Sequence, residues 1–429
     1  MSALDEHAAA PSEAPRIRPT FGFLAILVLV TGLGPFGMSS FIPSIPDIQE
    51  SLDVPIATAQ LTLSLSMIAL AVSTLIYGPL SDHYGRRPVL LGAVALAVVG
   101  SLIGALATGI EMAIVGRVLQ AMGGSAGIVL TRAIVQDVFP RERVASILGY
   151  VTAAMVVAPL VGPTIGGLVA DTVGWRGNFA MVAGVAAIVW VAVLFRLPET
   201  LRARRGVLSL GAITGDFGTL VACRAYMRYV AFGTLSQAAF FAFLAGGPFI
   251  VTQVYGRPAW EYGLYSAIMP LGFMLGSLMV GAHGVRFGNV RLILFGAGLA
   301  IVGTVLAALA PTLAAPLIDD LAAASGGMAG SVMSFAIFAP LFVTALGNGF
   351  SMPATQAGSV TAAPEMAGAA SGLFGFIQMI FASAVAQFIG YVQGAVSPMP
   401  TLTVMLVLTL LAPIAFAVLG ERREAAPSP

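Results

Sequence analysis

The chain has 429 residues, 58% of them hydrophobic and 9% charged. Soluble domains carry about a quarter charged residues, so this chain lacks the polar side chains to clothe a water-facing surface, and lipid must solvate most of its exterior. A net charge of +1 leaves no basic face for a nucleic acid, and a single cysteine, Cys223, rules out an intrachain disulfide and a multi-cysteine metal site. With His7, His83 and His283 far apart in sequence, no metal or other cofactor is expected.

Residues 1–20 are polar and read as a disordered tail. Arg16 and Arg18 then precede an apolar run from Phe21 that is longer than a signal-peptide core and has no clear cleavage site, which predicts a retained first span. Runs of roughly 20 apolar residues, the length a bilayer requires, recur along the chain. They predict spans at 21–45, 57–80, 88–108, 111–136, 144–170, 177–197, 226–251, 259–282, 290–311, 331–357, 366–391 and 400–420. The stretch 312–330, with Asp319 and Asp320, reads as a long loop or a partly re-entrant piece. The longest polar stretch, 198–225, holds Arg202, Arg204, Arg205 and Asp216. It is the expected linker between a first bundle at 21–197 and a second at 226–420, with a short polar tail at 421–429. Twelve spans put both termini on one side. Placing them inside gives the inner segments 16 arginines and the outer loops two, Arg176 and Arg257, and this asymmetry predicts cytoplasmic termini.

Between spans 2 and 3 the chain reads Gly78-Pro79-Leu80-Ser81-Asp82-His83-Tyr84-Gly85-Arg86-Arg87-Pro88. Between spans 8 and 9 it reads Gly281-Ala282-His283-Gly284-Val285-Arg286-Phe287-Gly288-Asn289-Val290-Arg291, with the same glycine spacing and Val285 standing where the first copy has Asp82. Two sets of six spans that share a loop motif indicate a parallel internal repeat. In the first copy Gly85 permits a tight turn, Gly78 permits close helix approach, and Asp82 either faces a helix N-terminus or pairs with Arg86.

In span 4, Arg117 lies six residues inside an apolar run and is followed by Gln120. A guanidinium at that depth is costly and keeps its proton. It acts either as a fixed charge at an internal cavity or as a structural group bonded to the carbonyls of a neighbouring helix. Arg132, nearer the inner surface, reads as a snorkelling side chain, and Asp137 is within reach of Arg86 or Arg132. Span 5 carries Ala158-Pro159-Leu160-Val161-Gly162-Pro163-Thr164-Ile165-Gly166-Gly167. Small residues at every fourth position share one face for close packing, and the prolines bend the helix.

The Gly78–Pro88 loop resembles motif A of the major facilitator superfamily, the Arg117–Gly124 segment motif B, and the Pro159–Gly167 segment motif C. With Leu61-Thr62-Leu63-Ser64, Arg132-Ala133-Ile134-Val135, Gly174-Trp175-Arg176 and Pro198-Glu199-Thr200, they are similar to bacterial drug:proton antiporters of the bicyclomycin and chloramphenicol resistance type, most densely over residues 35–200. The resemblance implies an all-α membrane protein with twelve transmembrane helices in two pseudo-symmetric six-helix bundles. It implies an exporter of the bacterial inner membrane rather than an enzyme, a monomer that exchanges a small-molecule substrate for protons. It further implies that Gly78, Asp82, Gly85, Arg86 and Arg87 latch the bundles together in the outward-facing state, and Asp137 is placed to join them. Arg117, with Gln120 beside it, would orient helices and tune a nearby carboxylate, and Pro159, Gly162, Pro163, Gly166 and Gly167 would mark export.

One departure bears on the substrate. Such antiporters commonly carry an acid in span 1 shortly before a Pro-x-x-Pro segment. Here Met38-Ser39-Ser40-Phe41 precedes Pro43-Ser44-Ile45-Pro46, and no carboxylate lies between Phe21 and Pro46. A membrane-embedded acid would carry protons and pair with cationic compounds. Without one, a neutral or anionic amphiphile is the expected substrate, and Glu111 is the nearest spare acid. By the same resemblance, spans 1, 2, 4, 5, 7, 8, 10 and 11 surround the pathway. Ser39, Ser40, Gln60, Gln237, Asn348 and Gln378, and also Gln120, Gln356 and Gln387, either face that cavity or bond helices together at about 0.6–2 kcal/mol each. Phe240, Phe241 and Phe243 either wall a drug site or face lipid.

Overall fold

The computed structural model describes residues 21–201, 217–325, 328–394 and 397–420. Both expected tails, most of the expected linker, and the side chains of His283, Arg286, Asp319 and Asp320 lie outside the described residues. The apolar runs fold as α1 (Phe21–Phe41, continued through a 3₁₀ turn at Ile42–Ser44 into Ile45–Ser51), α2 (Ile56–Tyr84), α3 (Arg86–Ala105), α4 (Ile110–Val138), α5 (Arg141–Val173) and α6 (Trp175–Arg196). The second set comprises α7 (Arg224–Phe249, ending in a π turn at Ile250–Val254), α8 (Ala259–Ser266 and Ile268–Phe287), α9 (Asn289–Ser325), α10 (Met328–Phe338 and Leu341–Thr361), α11 (Ala367–Val392) and α12 (Met399–Gly420). Eleven of these are long and apolar enough to cross a bilayer, and α5 contributes the shorter apolar stretch Val157–Val173. No strand occurs among the described residues. Residues 312–325, read from sequence as a loop or re-entrant piece, instead extend α9. Their Ala and Leu content favours a helix, and two adjacent aspartates cost little of that propensity.

An even number of crossings returns Gly420 to the face where Phe21 begins. We call it the tail face and the opposite one the distal face. The loop repeat seen in sequence is also a backbone repeat. Gly85 ends α2 at φ 106° and Gly288 ends α8 at φ 73°, conformations that side chains with a Cβ rarely adopt. Helix pairing repeats too. Gly100 and Gly116 bring α3 against α4 so closely that a methyl on Gly116 would lie 2.6 Å from the Gly104 nitrogen. Gly296 does the same for α9 against α10, where a methyl would lie 2.9 Å from the Ser351 nitrogen. Lipid supplies no hydrophobic drive between helices, so such close backbone approach is what holds them.

The apolar cores are distributed unevenly. Toward the tail face the two sets of helices keep separate cores. Phe23, Leu27, Leu90, Leu130 and Val193 belong to one, and Phe232, Ile293, Phe350 and Phe416 to another. Toward the distal face a single core takes residues from both sets, with Phe41, Ile45, Leu63 and Phe179 packed alongside Phe241, Phe249, Tyr262 and Leu402.

Candidate functional site

Between the two sets, two adjoining hollows of about 220 Å³ and 300 Å³ share Met155, Pro159, Gln237, Phe240 and Pro270 as walls. Their lining comes from α1, α2, α4, α5, α7, α8, α10 and α11, the eight spans expected to surround the pathway. Most of the wall is apolar or aromatic: Met38, Leu70, Ile128, Phe240, Phe241, Phe243, Met269, Phe273, Met352 and Met379. The polar groups on it are Ser39, Ser236, Gln237, Ser266 and Asn348, and among the described residues no charged side chain lines either hollow. Toward the tail face, a vestibule of about 730 Å³ opens between Arg132 on α4 and Gln356, Ser359 and Thr361 on α10, with Ser371 and Phe374 on α11.

Arg117 stands behind this wall. It is 2% exposed and lines a crevice of about 20 Å³ that shares Met38 and Leu70 with the central cavity. Its Nη1 donates to the Gly37 carbonyl of α1 at 3.1 Å and to the Gln120 side-chain oxygen, and its guanidinium stacks 4.1 Å above the Phe41 ring. Gln120 in turn donates to Ser101 Oγ on α3 at 2.7 Å. These contacts tie α4 to α1 directly and to α3 through Gln120. Among the described residues no carboxylate pairs with Arg117, and Glu111 is exposed at the distal end of α4.

The motif A residues gather at the tail face. Arg86 pairs with Asp82 at 2.6 Å and Asp137 at 3.1 Å and donates to Ser81 Oγ at 2.6 Å, while Arg87 donates to the Leu194 carbonyl at 2.7 Å. The Glu199 carboxylate accepts the backbone N–H groups of Arg86 (3.0 Å) and Arg87 (3.2 Å), where an anion meets the free donors and positive dipole end of α3. A methyl on Gly85 would lie 2.6 Å from Glu199 Oε2, a side-chain end that can move aside, so it is the φ of 106° that calls for glycine here. A methyl on Gly78 would meet no atom of another described segment within 4 Å. Among the described residues, every partner in this cluster lies in the first set of helices except Glu199, which stands in the short segment just after α6. Asp137, expected to reach either arginine, reaches Arg86, and Arg132, expected to snorkel, lines the vestibule.

Motif C serves three surfaces of α5. Pro159 and Pro163 line the cavity. Gly162 and Gly166 face Ser39 and Ser40 of α1, where a methyl on Gly166 would overlap the Ser40 carbonyl. Gly167 faces the second set, and a methyl there would lie 2.6 Å from the Ala259 carbonyl oxygen and the Trp260 Cα. One turn farther, the Asp171 carboxylate accepts the N–H groups of Ala259 (3.0 Å) and Trp260 (2.9 Å), capping α8 from across the molecule. Further distal bonds join the sets: Gln253 Nε2 to Gln49 at 2.7 Å, Ser64 Oγ to Gln387 at 2.7 Å, and Gln387 Nε2 to the Ala57 carbonyl at 2.8 Å. At the same face Arg257 is held above its ordinary pKa, chiefly by its hydrogen bond to Glu261.

The profile of the Major Facilitator Superfamily matches residues 27–386. The chain belongs to that superfamily. It is a multi-pass membrane transporter and not an enzyme. Two sequence relatives show the range of likeness. The chain is 28% identical to a Bacillus subtilis protein described as the uncharacterized MFS-type transporter YdgK, over 93% of this chain and 95% of that one. It is 31% identical to the chloramphenicol resistance protein of Pseudomonas aeruginosa, over 65% of each. The nucleoside transporter NupG superposes with a TM-score of 0.72 at 13% identity, over 93% of this chain and 100% of that one, a likeness of fold.

On this facilitator frame the sequence-derived candidates separate. Ser39, Gln237 and Asn348 reach the cavity wall, with Phe240, Phe241 and Phe243, which therefore do not face lipid. Ser40, Gln60 and Gln378 are buried away from those hollows, and Gln60 lies against Gly390 of α11. Two residues that matter to the geometry, Asp171 and Asn178, were not singled out from sequence, and Glu199 entered only through the Pro198-Glu199-Thr200 resemblance, with no role of its own. Asp171 looks like an ordinary loop-edge acid. Asn178, which donates to Ser44 Oγ (2.5 Å) and to the Gly166 carbonyl (2.8 Å), carries no signal of its own within an apolar span.

Proposed function

We propose that the chain exports small amphiphilic compounds across the bacterial inner membrane by alternating access, with the tail face cytoplasmic and the proton gradient as energy source. The observation that carries this reading is the uncharged, aromatic-walled cavity between two sets of helices that are joined distally and parted at the tail face. A pocket of that make-up takes amphiphiles. The likeness to a chloramphenicol resistance protein supports efflux, and the resemblance to drug:proton antiporters supports proton exchange. The excess of arginine on the tail side supports the orientation. Substrates are neutral or anionic, because among the described residues no acid stands on the cavity wall to balance a permanent cation.

The test is uptake of a compound panel into inverted membrane vesicles, with and without an interior-acid pH gradient, for wild type, Arg117→Ala and vector control. Gradient-dependent accumulation of neutral or anionic amphiphiles by wild type is expected. Accumulation indifferent to protein and gradient across the panel would remove the exporter reading. Ethidium transport lost on substituting Glu111 would refute the substrate class.

A further inference from the structure

Arg132 is the one charged side chain on the walls of the central cavity and its vestibule among the described residues. It is exposed, and no acidic side chain there pairs with it. Asp137, its nearest acid in sequence, is turned away to Arg86 at 3.1 Å and Thr200 at 3.4 Å. Across the cleft stand Gln356, Ser359 and Thr361 of α10 and Ser371 of α11. Ser359 and Thr361 give their protons to the carbonyls of Gln356 and Ala357. The donors left for a ligand are the Arg132 guanidinium, the Gln356 amide and the Ser371 hydroxyl. An arginine that merely snorkels sits at the lipid rim. This one faces a cleft whose low-dielectric walls strengthen and focus its field, and Phe374 adds an apolar surface to the same cleft.

We propose that this vestibule is an entry site for the anionic head of an amphiphile. A sulfonate, carboxylate or phosphate would meet Arg132, and the apolar part would lie along Phe374 before passing into the uncharged chamber. The volume, about 730 Å³, suits a small molecule. The proposal rests on the exporter reading and names the substrate class met first. The same head group has two sources, a soluble amphiphile or an anionic lipid of the adjoining leaflet.

The test uses full-length protein in phosphatidylcholine nanodiscs and a matched pair of probes, 4-butylbenzenesulfonate and its neutral sulfonamide. Binding of each is measured by calorimetry for wild type, Arg132→Gln and Arg132→Lys. Loss of one charge-assisted contact should weaken sulfonate binding roughly tenfold in Arg132→Gln, with the sulfonamide unchanged and Arg132→Lys close to wild type. Equal effects on both probes, or none on the sulfonate, would overturn the proposal. A parallel arm replaces part of the lipid with phosphatidylglycerol. Competition that is seen in wild type and lost in Arg132→Gln assigns the site to a lipid head group, and its absence assigns it to the soluble amphiphile. Uptake of the sulfonamide alone into vesicles separates the two ideas, since it would sustain the exporter reading while the binding data decide the fate of the site.

Discussion

The two faces of the molecule use the same device to opposite ends. At the tail face Glu199, in the segment just after α6, caps the start of α3 in the helix set that segment leaves. At the distal face Asp171 caps the start of α8, and the two belong to different sets. The tail-face cap therefore stiffens one half, whereas the distal cap ties the halves together. The cores follow the same division, separate toward the tail face and shared toward the distal one. A transporter open to one side at a time needs this asymmetry, because a seam that opens has to be built from contacts that can be exchanged.

The comparison can be broken most forcefully at Gly167. Gly167→Val would drive a side chain into the backbone of Ala259 and Trp260. Overpacking of this kind should hold the distal seam apart and lower transport roughly tenfold or more, measured as vesicle uptake. Unchanged uptake would show that the close approach is dispensable. Next in size, Arg117→Ala removes a buried cation and leaves the Gly37 carbonyl and Gln120 side chain short of a donor. It should cost about 2–3 kcal/mol of stability, read from thermal unfolding in detergent. Lost transport at wild-type stability would instead point to a role for the charge in the transport step.

A matched pair sharpens the contrast between the caps. Glu199→Gln and Asp171→Asn each weaken a helix cap by about 1 kcal/mol. Glu199→Gln should lower thermal stability and leave access from the distal face as it was. Asp171→Asn should raise distal access by roughly fivefold, the population change that such an energy allows. Equal access in the two variants would erase the distinction drawn here. The smallest effect is expected at Gln253, whose bond to Gln49 also crosses the seam at a partly exposed site. Gln253→Ala should change distal access by less than about a factor of three.

The fold was legible because lipid imposes length and polarity on every crossing, and the break at Gly85 and its echo at Gly288 are chemical necessities of a sharp turn. The stretch after Pro311 was misread since Asp319 and Asp320 look like loop residues, although acids at the end of a long helix can reach water. The site was less legible. Hydropathy does not reveal which face of α7 meets the cavity, so Phe240, Phe241 and Phe243 could not be placed, and Gln60 and Gln237 looked alike. Asp171 was passed over and Glu199 was given no role of its own because capping is a relation between distant segments, carried by a backbone N–H that every sequence has.

The most direct test of the central claim uses the fact that Cys223 is the only cysteine. In a Cys223→Ser background, Gln237→Cys places one thiol on the cavity wall, and a membrane-impermeant maleimide is applied to vesicles of known orientation. Labelling should be fast from the tail face and slow from the distal face, with the preference reversed when Gly167→Val is added. Equal labelling from both faces, or a preference that Gly167→Val does not move, would contradict a cavity that opens to one side at a time.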